Sequence, residues 1–158
     1  MAKRTFIFSD PDLCTGCRLC ELVCSATKER GFNPLLSRIR IVRTQSLISM
    51  AFSCRLCEKP ECVRICPLKV IESDEQSHII SINEEECDGC CLCIQVCNFG
   101  AIGFHLQKRM VFTCDLCQQT SNGTPQCVEF CPKDALKLVS PELISQKMRI
   151  KAVKELLG

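Results

Sequence analysis

Tryptophan and tyrosine are absent from this 158-residue chain, and eight phenylalanines supply all of its 5% aromatic content. That is a thin supply for a conventional core. Hydrophobic residues make up 46% of the chain, but 17 of them are cysteine. Bound metal fills and holds the interior of small ligand-rich proteins, because its binding energy becomes folding energy. Long apolar runs are also missing. None approaches the ~20 residues needed to span a bilayer, so direct membrane insertion is not expected. Met1 to Phe8 holds neither an apolar stretch nor a small-residue cleavage site, which leads to a cytoplasmic expectation. Runs of five or six like charges are lacking, and the 20 Lys and Arg are scattered against 18 Asp and Glu. This disfavours nucleic-acid binding. The length fits one domain, or one made of two fused halves.

What is present is cysteine in four blocks of four. Cys14, Cys17, Cys20 and Cys24 are spaced C-x2-C-x2-C-x3-C. Cys54, Cys57, Cys62 and Cys66 follow as C-x2-C-x4-C-x3-C, with Pro67 next. Cys87, Cys90, Cys93 and Cys97 repeat the first spacing. Cys114, Cys117, Cys127 and Cys131 read C-x2-C-x9-C-x3-C, with Pro132 next. Cys91 is left over. The tight spacing is that of bacterial ferredoxins. Three close thiolates wrap one iron–sulfur cube, and a helical turn carries the fourth to a neighbouring cluster. A zinc knuckle uses two separated pairs, so the third close cysteine has no place in it. Disulfides suit secreted chains, which nothing here indicates. Sixteen cysteines thus point to four 4Fe–4S clusters. Each oxidised cluster with its thiolates carries about two negative charges, so the loaded chain, formally +2 without them, would be acidic, and its 20 Lys and Arg read as internal compensation.

The blocks repeat at two levels, each half passing from tight to loose spacing. Short strands lie between them: Thr5 to Phe8, Arg38 to Arg43 with Leu47 to Phe52 as hairpin partner, Val70 to Glu72 with Ile79 to Ile82, Ile102 to Phe104 with Met110 to Phe112, and Ala135 to Val139. Ser25 and Asn98, not proline, follow the last cysteines of blocks one and three. A helix is therefore expected past Cys24 until Gly31 and Pro34 stop it. The first and third blocks are expected to differ in surroundings from the second and fourth. Pro141 to Leu157 reads as an amphipathic helix with Pro141 in its first position. The fold class is α+β: two fused bacterial-ferredoxin-like units of short hairpins and single-turn helices, plus a C-terminal helix. The expected boundaries are a four-cluster domain over 1–140 and the helix over 141–158. Within the domain, a central unit covers about 50–105 and an outer unit is drawn from 1–49 and 106–140.

These four blocks resemble the four-cluster iron–sulfur subunits of molybdenum and tungsten oxidoreductase complexes, those of dimethyl sulfoxide reductase, formate dehydrogenase and formate hydrogenlyase. The resemblance runs from about Phe6 to Val139. It implies nested pairing: Cys54, Cys57, Cys62 and Cys97 on one cluster; Cys87, Cys90, Cys93 and Cys66 on its neighbour; Cys14, Cys17, Cys20 and Cys131 on a third; Cys114, Cys117, Cys127 and Cys24 on the fourth. Spacing alone also allows blocks one and two to pair. The run Cys14-Thr15-Gly16-Cys17-Arg18-Leu19-Cys20-Glu21-Leu22-Val23-Cys24, with Asn33-Pro34 and Ser37-Arg38-Ile39-Arg40, is similar to compact small subunits partnering tungsten enzymes of the aldehyde ferredoxin oxidoreductase type. It implies such a catalytic partner, in anaerobic metabolism.

The expected function is electron relay, with no catalytic residue in this chain. The alternatives are a free polyferredoxin, a subunit of a carbon monoxide dehydrogenase, formate dehydrogenase or hydrogenase complex, self-association into filaments, and a zinc-dependent binding module, which would be colourless. Gly16 and Gly89 permit close backbone approach or mark ordinary turns. Arg18, Arg55, Lys59, Arg64 and Lys133 border ligands, and either raise potentials or are solvated. Cys91 is expected as a small buried apolar residue. His78 and His105 are expected on hairpin surfaces. The final helix docks a partner or packs on its own domain.

Overall fold

A computed structural model describes residues 4–44, 48–118, 120 and 123–157. The chain forms four two-stranded antiparallel sheets, five α-helices and a single-turn 3-10 helix (Pro34–Leu36) among these residues. Strand β1 (Phe6–Ser9) pairs with the last strand, β8 (Leu136–Val139), with Phe6 opposite Val139. Three hairpins fill the space between: β2 (Arg40–Arg43) with β3 (Ser49–Phe52), β4 (Ile71–Ser73) with β5 (Ile80–Ile82), and β6 (Gly103–His105) with β7 (Met110–Phe112). Each strand lies within a residue or two of its expected span. Leu47, the expected start of β3, lies outside the described residues.

The helices follow the cysteine blocks. They are α1 (Leu19–Glu29), α2 (Glu61–Ile65), α3 (Leu92–Val96), α4 (Gln126–Glu129) and α5 (Pro141–Leu157). Helix α1 packs on α4, and α2 on α3. Blocks one and four are thereby brought together, as are blocks two and three. The nested arrangement comes from β1 pairing with β8, which closes the chain ends over the middle.

Two apolar cores result. One contains Ile7, Ile39, Ala51 and Leu136 with Cys20, Cys24, Cys114 and Cys127. The other contains Val70, Ile71, Ile80, Ile102 and Val111 with Cys93. Cys54 packs against both. Cysteine thus takes core positions where large side chains ordinarily sit, in keeping with the shortage of aromatics. Ser9, fully buried, ties β1 to β3: its Oγ accepts from the Ala51 N–H at 3.0 Å.

Several expectations need correction. Helix α1 does run past Cys24, but Arg30 takes the left-handed stop position at φ 52°, one residue before Gly31. Block three does not share this extension. After Cys97 the chain turns at once, as it does after Cys66 and Cys131. In each case the third residue on (Lys69, Gly100 or Asp134) is left-handed and donates its N–H back to the cysteine carbonyl. Asn98 therefore substitutes for proline without altering the turn. His105 is buried, not at the surface. Its Nδ1 accepts from the Lys108 N–H at 3.3 Å, and its Nε2 lies 3.9 Å from Glu29. His78 is half-buried at a left-handed turn position. Helix α5 begins at Pro141 as expected, but it has no buried residue and its apolar side chains do not gather on one face. Leu143, Met148, Ile150, Val153, Leu156 and Leu157 are all exposed.

Candidate metal centre

The loops that present the cysteines depend on left-handed backbone. In the tight blocks, Gly16 and Gly89 have φ of 70° and 71°, and Arg18 and Cys91 follow at 61° and 63°. In the loose blocks, Leu56 and Leu116 take the same role at 48° and 55°. Their N–H groups turn back onto the thiols of Cys54 and Cys114 and favour the thiolate. The matching angles show one loop design used twice in each half. The two glycines are required rather than incidental. A Cβ on Gly89 would lie 2.3 Å from the Arg109 carbonyl oxygen, and one on Gly16 would lie 2.6 Å from the Ser49 Oγ.

Tertiary structure gathers the sixteen cysteines into four sets. Cys14, Cys17, Cys20 and Cys131 line one cavity with Thr15, Ile41 and Ala51. Cys66, Cys87, Cys90 and Cys93 line a second. Cys54 lies in a third: Cys57 and Cys97 both push up its thiol, and Cys54 and Cys97 push up that of Cys62. Cys24 likewise acts on Cys114, Cys117 and Cys127. Among the described residues no three His, Cys, Asp or Glu side chains converge at the spacing of a single ion.

The sets also stand in order. Cys93 of one acts on Cys62 of the next. Cys54 of that set acts on Cys114 of the third, and Cys20 of the fourth acts on Cys127 of the third. Only Cys90 and Cys17 are exposed, and they belong to the two end sets. The interior Cys114 set is the most deeply buried.

Burial dominates the electrostatics. It pushes the Cys20 thiol up to about 12, and those of Cys62 and Cys93 to about 11. It drives Cys114 and Cys127 strongly upward too. Thiolates here need a compensating positive centre, which iron supplies. All-sulfur sets ringed by left-handed loops, with N–H groups aimed at sulfur, fit 4Fe–4S clusters. Two such donors were not foreseen from the sequence. The Arg38 N–H lies 3.2 Å from the Cys24 Sγ, and the Ala101 N–H lies 3.4 Å from the Cys97 Sγ. Buried Glu21 was also missed. Its carboxylate accepts from the Ile41 N–H at 2.7 Å, joining α1 to β2, and its charge raises the Cys20 thiol further. The Arg38 and Glu21 contacts leave no local pattern because each crosses between elements, whereas Ala101 lies only four residues beyond Cys97 in the same turn. Cys91 is half-buried rather than buried. Its Sγ–H donates to the Gly89 carbonyl at 3.2 Å, and it lines the cavity of the Cys87 set.

Among the described residues no helix is long and apolar enough to cross a membrane. Residues 46–140 match the family model described as a 4Fe-4S dicluster domain. The chain is 37% identical over 141 residues to the aliphatic sulfonate oxidoreductase, polyferredoxin-like subunit, of Pyrococcus furiosus, covering 87% of this chain and 79% of that protein. It is 32% identical over 164 residues to the probable anaerobic dimethyl sulfoxide reductase chain YnfG of Escherichia coli, covering 93% and 78%. Among solved structures, the active site complex BamBC of benzoyl coenzyme A reductase as isolated contains a chain matched with a TM-score of 0.49 at 20% identity, over 98% of this chain and 91% of that one. Cysteine loops that fit 4Fe–4S clusters, a family model spanning most of the chain and relatives matched along nearly its whole length carry one conclusion: the chain belongs to the 4Fe-4S dicluster domain family of ferredoxin-type iron–sulfur proteins.

Proposed function

We propose that this chain is a non-catalytic electron-transfer subunit holding four 4Fe–4S clusters, one on each of the four cysteine sets, and that it serves a larger catalytic oxidoreductase subunit. The observation that carries the reading is the linear order of the sets, with an exposed cysteine only at each end. Bound clusters supply one-electron transfer at potentials set by charge, hydrogen bonds and solvent access. The protein's part is spacing and insulation. Its packed cores keep water from the Cys114 set, and its end loops bring Cys17 and Cys90 to the surface. A domain of this length has a radius of gyration of roughly 15 Å, so neighbouring sets are a short step apart.

The same reading divides the chain as two fused ferredoxin-like units. A central unit lies at about 50–105, an outer unit comes from 1–49 and 106–140, and α5 is an appended helix over 141–158. The packing of α1 on α4 and of α2 on α3 supports it. The full-length likeness to a subunit of a sulfonate oxidoreductase favours a fixed catalytic partner over a diffusible carrier. A tungsten enzyme of the aldehyde oxidoreductase type, in the cytoplasm, is the partner we infer.

Metal analysis of the complex isolated without oxygen tests this. Four clusters' worth of iron per chain, with tungsten in a co-purifying subunit, is the expected result. Molybdenum or nickel would move the partner to another oxidoreductase class. Iron in a chain that purifies alone would replace the fixed subunit with a free polyferredoxin. Cys14→Ala should break transfer along the series, and unchanged turnover with the physiological acceptor would overturn the linear order.

A further inference from the structure

Five basic residues border the cysteine loops: Arg18, Arg55, Lys59, Arg64 and Lys133. Four of them, Arg18, Lys59, Arg64 and Lys133, are exposed, and solvent screens their charge. Arg55 alone is drawn in. Its guanidinium lies over the Phe6 ring at 5.0 Å from the centroid, and at 5.8 Å from those of both Phe52 and Phe99. Its Nη1 donates to the Ile7 carbonyl at 3.4 Å. The Arg55 carbonyl in turn accepts from Arg4 Nε at 3.2 Å and Nη2 at 2.9 Å.

Other inward-facing cations near the sets are matched by carboxylates. Lys28 pairs with Asp115 at 2.6 Å, Arg38 with Glu29 at 2.5 Å, and Arg4 with Glu58 at 3.5 Å. Among the described residues no carboxylate lies within ion-pair distance of Arg55. It is the residue after Cys54, and the Cys54 thiolate is the anion that acts on it. Phe99, two residues after Cys97, closes the other side of the cage. Arg55 is thus a half-buried positive charge with no carboxylate partner, next to Cys54 in the chain and caged against Phe99, two residues from Cys97.

We propose that Arg55 is a positioning charge that raises the reduction potential of the cluster held by Cys54, Cys57, Cys62 and Cys97 above the value its sulfur ligands alone would give. Reduction adds one negative charge to a cluster, and a nearby cation held in a low-dielectric cage stabilises that form. Guanidinium does not deprotonate in proteins, so the effect does not depend on pH. The position has a consequence for the series. Cys54 packs against both apolar cores and acts on Cys114, so this set stands where the two halves meet. A raised potential there favours the electron resting at that junction. The aromatic cage serves the same end, because cation–π contact offsets the cost of drawing an unpaired guanidinium out of water.

The inference rests on the four-cluster reading above. The test is a redox titration of the loaded protein in its complex, followed by electron paramagnetic resonance without oxygen. Cys57→Ser identifies the signal belonging to the Cys54 set. Arg55→Gln should move that signal to lower potential and leave the other three in place. Arg55→Lys keeps the charge and should hold it near its original value. Arg4→Gln, which removes a guanidinium over the Phe6 ring that Glu58 already matches, should leave the signal near its original value. The proposal is overturned if Arg55→Gln shifts nothing, or if Arg55→Lys shifts the signal as far as Arg55→Gln does, since shape rather than charge would then be responsible. If Arg55→Gln fails to retain iron, Arg55→Met is titrated in its place: a lowered signal there with a wild-type potential in Arg55→Lys supports the proposal, and an unmoved signal overturns it. A wild-type protein with no Cys57-dependent signal overturns the four-cluster reading instead, and this inference falls with it.

Discussion

The α-carbon of Gly89 stands so close to the carbonyl of Arg109 that any side chain would collide with it: an added Cβ would lie 2.3 Å from that oxygen. Gly16, its counterpart in the first block, has nearly the same φ but faces the tips of Ser49 and Arg43 at 2.6 and 2.8 Å. Alanine at either site bears the left-handed penalty of about 1–2 kcal/mol. At Gly89 the β6–β7 turn backbone must also move. Gly89→Ala should therefore destabilise the loaded protein by ~3 kcal/mol and Gly16→Ala by ~1 kcal/mol. Thermal unfolding of the two variants checks this, and equal losses would show that strain alone decides.

Adjacent Cys90 and Cys91 should behave oppositely. Cys90 lies with Cys66, Cys87 and Cys93 around one cavity, whereas the Cys91 Sγ–H is already engaged with the Gly89 carbonyl. Cys90→Ala should lower bound iron and alter one signal. Cys91→Ala should leave iron content unchanged. Iron assay on both variants is sufficient, and iron loss from Cys91→Ala would mean that the sixteen ligands are wrongly chosen.

The Lys28–Asp115 pair joins α1 to the loop of block four, with both side chains mostly buried. Asp115→Asn keeps an acceptor for the Cys117 N–H, now 3.2 Å away, but leaves Lys28 uncompensated. A loss of about 2 kcal/mol is expected, between the values for exposed and fully buried pairs. Adding Lys28→Met should restore part of it. Denaturant titration of the single and double variants measures the difference.

Iron-free protein should be sensitive to alkali. The thiols of Cys20, Cys62 and Cys93 are raised from 9.0 to about 12, 11 and 11. Between those limits the folded chain holds protons that the unfolded chain has lost, so stability falls as the pH rises. The stabilisation is whole below pH 9 and is lost by about pH 12. Loaded protein, whose ligands are already thiolates, should not show this. Circular dichroism against pH on both forms is the measurement, and parallel curves would contradict the assignment.

Helix α5 buries none of its residues. A chain ending after Pro141 should keep its full iron and its thermal midpoint within a few degrees. Loss of iron would place α5 inside the cluster domain. Loss of the catalytic partner alone would mark it as a docking element.

Much of this was legible in the residue order because ferredoxin loops are local. Three cysteines two residues apart, with glycine before the second, can only wrap something small and central. The largely alternating Arg38 to Arg43 and the apolar Met110-Val111-Phe112 marked strands where strands stand. The errors concern tertiary surroundings. His105 sits in a hairpin like any surface histidine, but Glu29 from a distant helix covers it. Asn98 lacks the ring of proline, but Gly100 makes the same turn. The apolar residues of α5 suggested a face that the 3.6-residue period does not assemble.

Sequence by itself determined the chemistry. Sixteen thiols, their spacing and the breakers around them set the cofactor class, the loop conformations and the short helices, since all of these depend on neighbours a few residues apart. Only the tertiary structure decided which blocks share a set, which sets adjoin, and which of five basic residues is held inside. Those outcomes follow from β1 pairing with β8 and from two helix pairs closing over apolar cores. Contacts between residues as far apart as Cys14 and Cys131 leave no local trace in the chain.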